Sequence, residues 1–143
     1  MSRERFLVKS FGDNEEATRI GVAKLLELLG THSTGVIVVP DLGQVKSTML
    51  VNILGEDLSK SLIRDRQITF KDGKALQLCS QATLKSYRRA DVYLALWGTE
   101  YAIEDIEALP GWQAAILVTW IPADSARWVQ KHSVQVIYDD GKG

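Results

Sequence analysis

Lys46, Ser47 and Thr48 are three consecutive residues whose types suit anion chemistry. They stand at the head of a segment with helical spacing, Val45, Met49, Leu50, Ile53 and Leu54. A helix first turn presents unpaired backbone N–H groups, and a lysine and two hydroxyls beside them can hold a phosphate or carboxylate. Ahead of the triplet lie a short apolar run, Val36 to Val39, and a loop containing Pro40, Asp41 and Gly43. Strand, loop and helix in that order make half of a parallel β/α unit.

The triplet resembles the phosphate-cradling P-loop only in its ending. That loop needs glycine at its first and sixth positions so that backbone N–H groups can turn in on the phosphates. Aligned on Lys46, this chain has Pro40 and Val45 there. Proline has no N–H to donate, and valine resists positive φ. The magnesium-holding aspartate at the end of an apolar strand is also missing, because the candidate strands end Leu96-Trp97 and Thr119-Trp120. NTP hydrolysis is therefore not expected. What remains is a helix first turn with a solvated lysine, or a weak anion site at the same place.

In a parallel α/β sheet ligands bind beyond the carboxyl ends of the strands. On that rim the sequence places Asp13 and Asn14 after the first strand. Asp41, Lys46, Ser47 and Thr48 follow the second. Trp97, Thr99, Glu100 and Trp120 follow two later strands. Asp41 and Glu100 are candidates for a carboxylate pair doing acid–base work or holding magnesium. Asp13 with Glu16 reads first as a capping box at a helix start. Trp97 and Trp120 either stack on a ligand or partner, or close the core. Cys79 has neither a neighbouring histidine nor Cys-x-x-Cys spacing, and reads as a small buried hydrophobe. His32 and His132 are the only histidines, and both fall near expected helix C-termini. Histidine triads and metal clusters are not expected, nor is any cofactor. Gly-x-Ser-x-Gly, His-Glu-x-x-His and Gly-x-Gly-x-x-Gly do not occur.

These residues need a frame, and the hydrophobic periods describe one. Apolar strands are expected at 5–11, 35–40, 91–97, 114–120 and 134–138. Helices are expected from Asp13 to Gly30, from Val45 to Gly55 and on to Arg64, over Gln81 to Arg89, from Thr99 to Leu109, and after Pro122. Gly30 is expected in the left-handed region at a helix end. Between 66 and 79 the period changes to two around Lys71-Asp72-Gly73, a hairpin signal. Pairing Ile68 with Leu76 across a three-residue loop keeps the apolar side chains on one face. The expected fold is a single α/β domain over 1–143. It is a three-layer Rossmann-like or flavodoxin-like domain with a mainly parallel five-stranded sheet and a β-hairpin insertion at about 66–79.

Bulk composition narrows function further. A formal net charge of −1, with 45% hydrophobic and 24% charged residues, is ordinary for a soluble protein. Apart from Lys85, Arg88 and Arg89 the basic residues are dispersed, so nucleic acid is not the expected partner. No apolar run approaches membrane-spanning length and no secretory leader is visible, so a cytoplasmic location is expected. With no complete catalytic motif, the sequence favours a non-catalytic interaction or regulatory module that meets a protein partner. A homo-oligomer is compatible with it. The alternatives are a small-molecule binder holding phosphate or carboxylate at the Lys46 helix, and a hydrolase or transferase using rim carboxylates.

Overall fold

The computed structural model describes residues 3–12, 14–42 and 48–141, without the side chains of Thr48 and Met49. In chain order its elements are β1 (Glu4–Lys9), α1 (Glu15–Leu28), β2 (Thr34–Val39), α2 (Thr48–Leu54), α3 (Glu56–Asp65), β3 (Gln67–Thr69) and β4 (Ala75–Ser80). A 3-10 helix follows at Gln81–Tyr87, then β5 (Val92–Gly98), α4 (Glu100–Glu107) and β6 (Ala114–Thr119). A short 3-10 turn at Pro122–Ser125, α5 (Ala126–Lys131) and β7 (Gln135–Asp139) complete it.

Among the described residues the sheet has seven strands in the order β3-β4-β2-β5-β6-β1-β7. All pairings are parallel except β3 with β4. The expectation that the strands at 35–40, 91–97 and 114–120 are central and parallel agrees with this order. The count of five does not. The second hairpin strand is a full member of the sheet, in register with β2 from Thr34↔Ala75 to Val39↔Ser80. The reason lies in its side chains. Leu76 and Leu78 bury on one face and Cys79 on the other, and a strand apolar on both faces belongs inside a parallel sheet. Of the hairpin only the three-residue β3 lies at an edge of the sheet, opposite the β7 edge, and a strand that short offers little to a foreign chain.

The hairpin register is the one the period-two pattern requires, with Ile68 opposite Leu76. Phe70 N donates to Lys74 O at 2.8 Å, which closes the loop Lys71-Asp72-Gly73. Gly73 has φ +86° in that loop, a backbone state that glycine adopts without strain.

Alternation along the strands divides the core between two faces. Phe6, Val8, Ile37, Leu94 and Ile116 pack under α1, α2 and α3. Leu7, Val36, Tyr93, Ala95 and Leu117 pack under α4, α5 and the 3-10 helix at Gln81–Tyr87. On the first face α1 lies unusually close to the sheet. A Cβ on Gly21 would stand 2.4 Å from Val118 Cγ2. Gly30 departs from expectation. It is not among the glycines with positive φ, and the end of α1 closes by N–H groups of Thr31 and His32 donating to Leu28 O.

This arrangement positions the rim. The chain leaves β1 and β2 toward the face of α1, α2 and α3, and leaves β5 and β6 toward the face of α4 and α5. The neighbours β2/β5 and β6/β1 therefore send their chains to opposite faces. Each pair is a topological switch point, where a crevice for ligands is normally found.

Candidate functional site

The β6/β1 crevice is closed by the chain's own hydrogen bonds. Ser10 and Thr119 are both buried. Ser10 N donates to Thr119 Oγ1 at 3.0 Å, Thr119 Oγ1 to Ser10 O at 2.8 Å, and Ser10 Oγ to Thr119 O at 3.0 Å. One residue further out, Gly12 N donates to Trp120 O at 2.8 Å, with Gly12 at φ +65°. Asp140, just past β7, then takes the place an anion would want. Its Oδ2 accepts from Phe11 N at 2.9 Å and from Asn14 Nδ2 at 3.4 Å. The first turn of α1 brings Glu15 and Glu16, two further carboxylates. A helix N-terminus attracts anions, but here the protein supplies its own.

At the end of β5 stands Trp97. The register of β5 against β6 slips between Leu96 and Gly98, and Trp97 at the slip has φ +54°. The slip turns two successive side chains, Leu96 and Trp97, toward the same core. Trp97 retains 6% exposure. Its indole Nε1 donates to Thr18 Oγ1 at 3.1 Å, and that hydroxyl donates to Asn14 O at 2.8 Å. Gly98 completes the turn because a Cβ there would stand 2.9 Å from Leu117 Cδ1.

The other expected site residues are dispersed. Asn14, rather than Asp13, is the N-cap of α1, accepting from Ala17 N at 2.9 Å. The helix starts at Glu15, so the cap falls on Asn14, and Ala17 occupies the third helical position that a capping-box glutamate would need. Asp13, Lys46 and Ser47 lie outside the described residues, and so does the side chain of Thr48, which opens α2. Asp41 is exposed beyond β2. Thr99 caps α4, accepting from Ala102 N at 3.4 Å. Glu100 lines a groove between α4 and α5 together with Arg127, Trp128 and His132. The two rim tryptophans divide the roles between them. Trp97 closes the core, and Trp120 stands 42% exposed.

Beside Trp120 are two residues that sequence reasoning passed over, Phe11 at 55% and Ile121 at 46% exposure. Both sit in loops after strands; the expected strand at 5–11 absorbed Phe11, whereas β1 ends at Lys9 and leaves it in the loop. The Gly12–Trp120 bond ties their two loops together, so the three side chains occupy adjoining loops of one rim. Glu15, Glu16 and Asp139 are exposed at the same end of the sheet, Asp139 beside Lys9.

The densest charged arrangement lies away from the rim. Arg5 Nε and Nη2 grip Glu107 at 2.7 and 3.0 Å, and Trp128 Nε1 donates to the same carboxylate at 2.7 Å. His132 Nε2 stands 3.8 Å from it. Burial alone pushes the Glu107 carboxyl up, but bonds from Arg5 and Trp128, with the charges of Arg5 and His132, hold it below its ordinary value. Both carboxylate oxygens are taken, so the cluster fastens β1, α4 and α5 together. Burial pushes the Cys79 thiol up to about 12, so it stays protonated and unreactive. Among the described residues no group of three His, Cys, Asp or Glu side chains is placed to hold a metal ion. No helix there is long and apolar enough to cross a membrane.

No protein-family model matches the sequence, and no curated protein does. Among solved structures the chain is similar to the ATPase domain of the large terminase of Thermus phage P74-26. The TM-score is 0.48 at 17% identity, over 82% of this chain and 60% of that one. A point mutant of the same terminase domain gives a TM-score of 0.43 at 14% identity over the same shares. The chain thus spans about three fifths of the terminase domain's length. At TM-scores below 0.5, neither likeness assigns an activity or a ligand.

Proposed function

We propose that this chain is a non-catalytic interaction module on a Rossmann-like frame, docking a protein partner at the carboxyl rim of its sheet. One observation carries the reading. At the β6/β1 switch point Asp140 is bonded to Phe11 N and Asn14, and Trp97 at the end of β5 is buried against α1, while Phe11, Trp120 and Ile121 on adjoining loops stay in water. Large apolar side chains gathered on one surface mark an interaction site. The acids at the same end of the sheet favour a partner that presents an apolar segment flanked by lysine or arginine.

The test is site-specific photocrosslinking from position 120 in cells, joined to a thermal-shift screen of nucleotides, sugar phosphates and divalent metals. The expected result is a discrete crosslinked protein that disappears with Phe11→Ser and Ile121→Ser, and no midpoint shift with the small molecules. A magnesium-dependent rise with ATP would overturn the reading. A rise with phosphate that Lys46→Ala removes would favour the weak anion site at the start of α2.

A further inference from the structure

A second surface lies on the far side of the sheet from α1, along the 3-10 helix at Gln81–Tyr87. Lys85, Arg88 and Arg89 line a groove of about 630 Å3 with Thr34, Gln77 and Tyr87. Lys85 and Arg88 also line a second groove, of about 660 Å3, whose opposite wall is the end of α4 and Pro110. The two grooves meet along these two cations, making one track that crosses the 3-10 helix. All three basic residues are exposed. Among the described residues none makes a side-chain hydrogen bond or ion pair, although most other guanidinium groups in the chain stack or pair. The first groove has no acidic lining residue. The second has Asp105, whose carboxylate accepts from Gln81 Nε2 at 3.2 Å.

We infer that this track binds the phosphodiester backbone of a single-stranded nucleic acid, with Lys85, Arg88 and Arg89 on successive phosphates. Two features point to a polymer over a lone anion. Lys85 and Arg88 line both adjoining grooves and Arg89 the first, so the basic surface runs beyond a single pocket. Two of the three cations are arginines, whose planar fork matches phosphate oxygens. The overall net charge of −1 conceals this patch, because among the described residues Asp105 is the one acidic residue lining the two grooves.

Fluorescence anisotropy with a labelled oligothymidylate of about twelve nucleotides tests the inference on the full chain. Three phosphate contacts predict a log–log salt slope of about −2, that is, binding roughly twentyfold weaker at about 200 than at about 50 mM salt. Each of Lys85→Ala, Arg88→Ala and Arg89→Ala should flatten the slope by about 0.7. The side chains are exposed, so the thermal midpoint should not move, and an unchanged midpoint separates lost contacts from lost fold. Absence of oligonucleotide binding, a slope near zero, or equal binding by the triple variant overturns the inference. So does binding of inorganic pyrophosphate or of anionic vesicles without binding of the oligonucleotide.

Discussion

The indole of Trp97 donates to the hydroxyl of Thr18 at 3.1 Å, joining the end of β5 to the first turns of α1 across 79 residues of chain. The backbone of Trp97 is held at φ +54°, a state that a bulky residue enters only when its surroundings enforce it. The enforcing elements are the register slip before Gly98, the buried ring and the Thr18 bond. Together they bury the ring against α1 at the carboxyl end of β5.

Trp97→Ala should therefore cost about 3–5 kcal/mol, since it removes a large buried ring and leaves a void. Trp97→Phe keeps most of the volume and loses the N–H, so about 1 kcal/mol is expected. Urea denaturation of both variants, alone and combined with Thr18→Val, measures the coupling. If Trp97→Phe costs the same with Thr18 intact as in the Thr18→Val background, the hydrogen bond contributes nothing.

Gly21→Ala should destabilise by roughly 1–3 kcal/mol, because the added methyl meets Val118 and either α1 or the sheet must move. Gly73→Ala should cost on the order of 1 kcal/mol from its positive φ alone, as nothing lies within 4 Å of the added carbon. Thermal midpoints separate the two mechanisms, since Val118→Ala should relieve the first and leave the second untouched.

The Glu107 cluster sets a pH dependence. The folded-state pKa lies below the ordinary 4.5, so the stabilisation is fully present above that value. It is lost as pH falls through the folded value, when the carboxylate must take a proton. Glu107→Gln should flatten the acid limb of stability against pH and cost roughly 1–3 kcal/mol at neutral pH, with Arg5 left half-buried opposite a neutral amide. Denaturant midpoints from about pH 3 to 7 decide it. An unchanged acid limb in the variant would assign the acid sensitivity to other carboxylates.

Cys79 should resist thiol reagents in the folded protein and react on unfolding, because burial and its raised pKa both withhold the thiolate. Rapid modification of native protein by an aromatic disulfide reagent would show that β4 opens readily.

Local chemistry determined much of this fold before any long-range contact was considered. The doubly apolar runs at Val36–Val39 and Val92–Leu96 required buried parallel strands. The alternation of Ile68 and Phe70 with Leu76 and Leu78 around Lys71-Asp72-Gly73 chose the hairpin register. Each is a property of a few adjacent residues, which is why it was legible. Strand order is a different kind of property. That β4 joins β2, or that β1 lies between β6 and β7, depends on which buried faces fit together over distances of dozens of residues. The same holds for the rim. Trp97 and Trp120 are the same residue type at equivalent strand ends, and sequence left both roles open for each. The slip in β5 turned one inward onto Thr18, while the bond from Gly12 to the carbonyl of the other fixed its loop with the ring in water. Only the packed sheet could make that choice, because it was decided by neighbours that are far apart in the sequence.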